Sequence, residues 1–453
     1  MATPGEAVDP WADISFGVGP RSFAFRAGQL LVSRAGLAAL RGVFDSPVQV
    51  ISELKDLVVV QLPTGVKPAR VLRVVADLRA RGFVAQPNHV FFADIFLANP
   101  AWSANPAWSA NPAWSANPAW SANPAWSANP AWSANPAWSA NVLGGGGGGC
   151  SCGTGSYVTS TTTHPAPIHT LARPAQPPAP PLEQPTMAKA RSCEVLVLDT
   201  GLAATTFLPS FFGDVKPLRT NDVDHPDESG DGYIDPVSGH GTFIAGIIER
   251  LAPAATIRIE RVLTTFGDGD DAAIGGALER VLDLAPLPDI VSLSLSAYTE
   301  DDQAPAAIAS AVAKLQDRGV VVVASAGNDA TCRPAWPAAL PDVVSVGAIG
   351  PYGPAPFTNF GAWVRACAPG VDVVSKYFRN ADDGAGTLPA NTDLKDFHGW
   401  ATWSGTSFSA PFVAGVLARE VITRDISAED AVTRIIDEPS LLRLPLLGTV
   451  VNG

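Results

Sequence analysis

Between Phe23 and Ala93 the apolar positions alternate between two spacings. Gln29–Ser33 reads as a strand, Ala35–Phe44 as a helix, and Val48–Leu62 as two strand halves with Asp56 near the turn between them. Lys67–Arg81 sets Val71, Val74, Val75 and Leu78 on one helical face, and Gly82 can end that helix. Phe83–Phe92 returns to a strand, so this stretch predicts a small α+β unit. From Cys193 the pattern changes. Glu194–Leu198, Ile257–Val262, Ile290–Leu295, Val320–Ser325 and Val343–Val346 are continuous apolar runs, separated by helix-like segments at His240–Arg250, Ala272–Leu284 and Ala304–Arg318. Strands that are apolar throughout and alternate with helices predict an α/β unit, a parallel sheet covered on both faces.

The intervening stretch has neither period. It carries a perfect hexapeptide repeat, Asn-Pro-Ala-Trp-Ser-Ala, which places Trp102, Trp108, Trp114, Trp120, Trp126, Trp132 and Trp138 six residues apart. Gly144–Gly149 and a Ser/Thr/Pro-rich tract follow. Asn-Pro favours a turn and proline blocks sheet pairing, so the repeat reads as a linker expanded by duplication. A tryptophan ladder that binds a partner is the other reading, and no aliphatic position recurs to build a solenoid. The expected organisation is therefore residues 1–98, a low-complexity linker at 99–192, and a larger unit at 193–453.

At 453 residues with 47% hydrophobic side chains the chain has enough apolar material for more than one core. The net charge of −13 argues against a nucleic-acid partner. It is unevenly divided: residues 1–98 carry 8 acidic and 10 basic side chains, +2, and residues 193–453 carry 34 and 17, −17. One unit is thus expected to attract the other. The N-terminus shows no basic start followed by an apolar run, and no apolar stretch has the length of a membrane span. The expectation is a cytoplasmic protein without a membrane partner. The odd count of five cysteines fits a compartment without obligatory disulfides; Cys332 and Cys367 are read as free thiols, with a disulfide the alternative.

Four short segments carry candidate chemistry. Val195–Gly201 ends an apolar strand on Asp199, and Gly239–Gly246 puts His240 at the start of an apolar helix. Ser404–Pro411 puts Ser407 just before the helix-like Phe412–Arg419, and Ser325–Asp329 presents Asn328 after a strand. Strand ends and helix starts of an open parallel sheet converge on one edge. A serine hydroxyl becomes a nucleophile only with a base to take its proton, and the base needs a carboxylate to fix its tautomer. An amide side chain with the Ser407 backbone N–H could hold a developing oxyanion.

Asp-Thr-Gly, Gly-His-Gly-Thr, Ala-Gly-Asn and Gly-Thr-Ser-x-x-x-Pro, in that order, resemble the subtilisin family of serine endopeptidases from Glu194 to the end of the chain. The resemblance implies a subtilisin-like α/β fold, a triad of Asp199, His240 and Ser407, Asn328 in the oxyanion hole, and peptide-bond hydrolysis without a cofactor. Ser294, Leu295 and Ser296 then belong to the substrate-binding strand, although Ser296 stands where the family usually has glycine. The N-terminal strand–helix–strand–strand–helix–strand order, ending in Gln86-Pro-Asn-His-Val-Phe, is similar to the family's ferredoxin-like inhibitory propeptides. This makes the N-terminal unit an intramolecular partner whose tail, Val90–Ala98, enters the cleft, with Phe91, Phe92 and Phe96 filling subsites. The competing reading is a catalytically silent scaffold acting through the Trp repeats. Asp227, Ser229, Asp231 and Asp235 are spaced like a calcium loop, but Ser238 replaces the closing glutamate, and a rigid acidic loop is the other reading. His89, His164, His169, His225 and His398 are expected at the surface or in loops.

Overall fold

The computed structural model describes residues 13–17, 23–94, 172–178, 191–205, 207, 213–230, 232–379 and 393–453. The Trp repeats, Phe96, Cys150, Cys152, His164 and His169 lie outside the described residues.

The N-terminal elements are β1 (Ile14–Gly17), β2 (Phe23–Ser33), α1 (Arg34–Leu40), β3 (Gln49–Glu53), β4 (Leu57–Gln61), α2 (Pro68–Ala80) and β5 (Ala85–Ala93). The antiparallel order β5-β2-β4-β3, with β1 added along β2, is the ferredoxin-like order. Leu30, Val32, Val58 and Val60 face Val71, Val74, Val75 and Leu78 of α2, the helical stripe seen in the sequence. β2 begins well before the apolar run that predicts it, because Phe23–Arg26 pairs with β1.

The larger unit contains β6 (Glu194–Asp199), α3 (His240–Leu251), β7 (Thr256–Arg261), β8 (Asp268–Asp270), α4 (Asp271–Val281), β9 (Ile290–Leu293), β10 (Leu295–Ser296), α5 (Ala306–Gln316), β11 (Val321–Ser325), β12 (Val344–Gly350), β13 (Ala366–Pro369), β14 (Val373–Arg379), β15 (His398–Trp403) and α6 (Thr406–Arg424). Its parallel sheet runs β13-β12-β11-β9-β6-β7. One face is covered by α3 and α6 through Ile244, Ile248, Val413 and Leu417, the other by α4 and α5 through Ile274, Leu278, Ile308 and Val312. Among the described residues, no helix is long and apolar enough to cross a membrane.

The two units meet along β5, which pairs antiparallel with β8 through Val90–Phe92 and with β10 through Phe92 and Ala93. The N-terminal sheet rests on the first turns of α4 and α5. A helix start leaves backbone N–H groups without intrahelical partners. Here Ala272 N–H donates to Asn88 Oδ1 at 3.2 Å and Ala306 N–H donates to Gln86 Oε1 at 2.8 Å. Leu31, Leu57 and Val59 pack on Ala307 beside these contacts. Opposite charges face each other around the rim. Arg26 reaches Asp268 at 2.8 Å and Asp270 at 3.2 Å, and Arg79 reaches Glu300 at 2.8 Å and Asp301 at 2.9 Å.

His89 corrects the expectation of a surface histidine. It is buried on β5, its Nε2 2.7 Å from Glu300 and its Nδ1 3.8 Å from Asp271. Those two carboxylates hold its pKa up at about 9 against the burial that opposes the charge. The charge partners come from the other unit, so the sequence near His89 does not announce them. His225 and His398 are exposed.

Candidate active site

β6 is Glu-Val-Leu-Val-Leu-Asp, buried from its second residue, and it delivers Asp199 to the C-terminal edge of the sheet. Asp199 Oδ1 accepts from the Thr200 N–H at 2.8 Å and lies 2.7 Å from His240 Nδ1. His240 opens α3, and the glycines around it are required by the packing. Gly239 holds a left-handed φ of 80° at the helix start, and a Cβ on Gly241 would lie 2.3 Å from the Gly201 carbonyl oxygen. The Asp-Thr-Gly turn and the His helix are thus in backbone contact.

Asp224, which the sequence reading passed over, ties them together. Its Oδ2 accepts from Thr200 Oγ1 at 2.6 Å and from the Gly239 N–H at 2.8 Å, while Thr200 Oγ1 accepts from the Gly241 N–H at 3.0 Å. Burial pushes the Asp224 carboxyl well above the usual carboxylate range, with those hydrogen bonds opposing. The His240 ring is walled by Trp403, ring centroids 5.5 Å apart, and by Phe408 at 5.4 Å.

Ser407 lies within the first turn of α6, not before a helix starting near Phe412. The small residues Thr406–Ala410 hide this turn from an apolar-periodicity reading, but they are buried and helical. Pro411, four residues on, has no N–H to give the Ser407 carbonyl. Ser294 Oγ supplies that bond instead at 2.8 Å, and Ser407 Oγ donates to the Ser294 carbonyl at 3.1 Å. His240 Nε2 is buried and has no hydrogen-bond partner among the described residues.

Asn328 is oriented by Thr406, whose N–H and Oγ1 donate to Asn328 Oδ1 at 3.0 and 2.9 Å. That fixes the amide so that its Nδ2 is turned away from Thr406, and Nδ2 is buried without a partner. A buried, unsatisfied donor is costly unless a ligand completes it. Next to it the Ser407 N–H donates to the Asp94 carbonyl oxygen at 3.0 Å. The chain therefore lays its own β5 across the site. Phe92 pairs with Ser296 and Asp268, Ala93 pairs with Leu295, and the Asp94 N–H donates to the Ser294 carbonyl at 3.3 Å.

The Asp94 side chain enters a buried pocket. Ser296 Oγ donates to its Oδ1 and Ser325 Oγ to its Oδ2, each at 2.6 Å. Sequence reasoning expected phenylalanines in the cleft; Phe91 is buried in a cluster with Leu263, Leu295 and Trp336, while Phe92 packs on Ile14, Ala24 and Val90, and the reading missed this aspartate. The only available signal was its distance from the Gln86–Phe92 motif.

The calcium spacing does not become a calcium cage among the described residues. Asp227 Oδ1 accepts from Ser229 Oγ and the Gly230 N–H, and its Oδ2 from the Gly232 N–H. Asp235 Oδ2 instead faces the Glu228 N–H and Thr265 Oγ1. The carboxylates serve the loop's own backbone, and no three potential ligands converge among the described residues; Asp231 lies outside them. Among the described residues Cys193, Cys332 and Cys367 form no disulfide, and burial pushes Cys367 up to about 12.

The subtilase family model matches residues 191–432. The thermophilic serine proteinase of Bacillus sp. (strain AK1) is 31% identical over 247 residues, which cover 50% of this chain and 51% of that protein. Subtilisin DY of Bacillus licheniformis is 29% identical over 244 residues, covering 51% of this chain and 77% of that protein. A solved prenylagaramide maturation protease aligns over 57% of this chain and 90% of its own at 23% identity and a TM-score of 0.44. Several of the matched curated relatives are about twice as long as the part shared with this chain, which spans 51%, 45% and 45% of three of them.

Proposed function

The chain belongs to the subtilase family, and from that premise we propose that it is a serine endopeptidase restrained by its own N-terminal sheet. Ser407 is the nucleophile. His240 takes the hydroxyl proton on Nε2 and later returns it to the leaving amine, and Asp199 holds the opposite ring nitrogen at 2.7 Å. The Ser407 N–H and Asn328 Nδ2 receive the oxyanion. No cofactor enters this chemistry. The observation that carries the reading is the Asp94 carbonyl on the Ser407 N–H, beside the unpartnered Asn328 amide. A peptide carbonyl there is where a scissile carbonyl has to lie.

Restraint follows from the same occupancy, because β5 fills the strand position between β8 and β10 that a substrate would need. Ser407 Oγ is meanwhile engaged with the Ser294 carbonyl. The nucleophile must turn toward His240 Nε2 before reaction.

The test is covalent labelling by a fluorophosphonate together with peptide hydrolysis. Both are expected for the wild-type chain and neither for Ser407→Ala. A Ser407→Ala protein that keeps its peptidase activity would refute the assignment.

A further inference from the structure

Asp94 is the polar residue that the mechanism leaves unexplained. Its carboxyl is almost fully buried, at 7% exposure, at the end of a strand that otherwise enters the cleft through backbone pairing. Each carboxyl oxygen has its own donor, Ser296 from β10 and Ser325 from the end of β11. Both serines are themselves buried. Ser296 replaces the glycine usual in the family, and without its side chain Oδ1 would have no donor among the described residues.

Resting on the serine-peptidase reading above, we propose that Ser296 and Ser325 form a specificity pocket for aspartate on the acyl side of the cut, and that the bond following Asp94 is the chain's first substrate.

The pocket is short and ends in neutral hydroxyl donors, with no Lys or Arg hydrogen-bonded to Asp94 among the described residues. Selection thus comes from depth and from paired donors. Glutamate is one methylene too long for hydroxyls already 2.6 Å from the shorter carboxyl. Phenylalanine and lysine would have to displace both serines and leave them without the acceptor they now hold. A site built to hydrogen-bond a substrate group discriminates strongly against side chains lacking it. Burial raises the Asp94 carboxyl to about 7, the two serine hydroxyls opposing. The nearby Asp329 carboxylate adds to that rise.

The chemistry balances without a co-reactant. Ser407 Oγ bonds to the Asp94 carbonyl carbon and its proton passes to His240. The C–N bond to residue 95 breaks, and the new amine leaves with that proton. Water then hydrolyses the ester and regenerates Ser407.

The experiment starts from the full chain. Intact-mass and terminal sequencing are expected to show one Ser407-dependent cut that leaves Asp94 as a new C-terminus. Peptides carrying residues 89–93, followed by Asp, Glu, Ala, Phe or Lys and a chromogenic leaving group, are then compared, with rates normalised to fluorophosphonate-labelled enzyme. The Asp peptide is expected to lead Phe and Lys by about a hundred-fold in kcat/KM. Ser296→Gly and Ser325→Ala are each expected to reduce the Asp-to-Ala ratio by roughly ten-fold, mainly in KM, while labelling persists. Equal rates across the series in labelled enzyme, a first cut at another bond, or an unchanged ratio in both variants would overturn the pocket while leaving the peptidase reading intact. Absence of labelling in the wild-type chain would overturn both.

Discussion

Ser407, His240 and Asn328 differ in what each must do, and their substitutions should differ in the same order. In the proposed mechanism Ser407 is the nucleophile and His240 the base, so Ser407→Ala or His240→Ala should lower turnover roughly a million-fold. In that mechanism Asn328 is one of two oxyanion donors, so Asn328→Ala should cost about a hundred- to a thousand-fold in kcat. These magnitudes belong to a subtilisin, and burst kinetics on a chromogenic peptide would measure them here. An Asn328→Ala enzyme with unchanged kcat would take the amide out of the oxyanion hole. Asp94 and His89 make docking of the N-terminal sheet pH-dependent. Asp94 titrates near 7 when docked against an ordinary 3.8, because it is buried, so docking weakens as pH rises from about 4 to about 7. His89 is raised from 6.5 to about 9 by Asp271 and Glu300, so its contribution is complete below about 6.5 and is lost as pH rises through 9. Glu300 is held below its ordinary value despite its burial, by His89 first and then Arg79, and its contribution is lost in acid. Hydrogen exchange of the β5 amides in Ser407→Ala protein, corrected for the intrinsic pH effect, should be slow at pH 6 and faster at pH 9. Equal protection at both pH values would remove these two groups as determinants.

The interface works as a set of element ends. α4 and α5 begin where the N-terminal sheet lies, and their free N–H groups are met by Asn88 and Gln86. Substituting a residue that caps a helix start costs about 1 kcal/mol. Asn88→Ala and Gln86→Ala should each weaken docking by about that amount, a factor of roughly five, read as faster β5 exchange in the full chain. Gln86→Ala should be the larger effect, because Gln86 Nε2 also donates to the buried Asp271. Identical exchange in both variants would show that the caps are incidental to docking.

For the whole molecule, the +2 and −17 halves resolve into particular pairs, and the pairs at Arg26 are partly buried. Arg26 is 12% exposed between Asp268 and Asp270, so salt screens it less than it would a surface pair. Arg26→Glu together with Arg79→Glu places like charges against Asp268, Asp270, Glu300 and Asp301. If docking restrains the enzyme, the full-length double variant should hydrolyse peptides at least several-fold faster than wild type per labelled active site. An unchanged rate would mean that the N-terminal sheet is not the restraint.

Much of this protein is written locally. The Val71–Leu78 stripe, the apolar strands Glu194–Asp199 and Val321–Ser325, and the Asp-Thr-Gly, Gly-His-Gly-Thr and Gly-Thr-Ser segments all act within a few residues of themselves, so period and motif reveal them. That the sheet is parallel and covered on both faces needed only the alternation of buried strands and helices, whereas its strand order came from the structure. Three things depended on residues far apart in the chain. Asp94 acquires its meaning from Ser296 and Ser325, more than two hundred positions away. His89 becomes a buried cation only against Glu300 and Asp271. Asp224 joins the His helix to the Asp turn through Thr200, although alone it reads as one acidic residue among many. In the 227–235 loop, by contrast, Asp227 and Asp235 accept from nearby backbone N–H groups in spite of the calcium-like spacing. Sequence alone determined the main strands and helices and which side chains carry candidate chemistry, because those are properties of neighbouring residues. Tertiary structure decided which side chain enters the cleft, since that depends on a strand, a pocket and a charge partner contributed by separate parts of the chain.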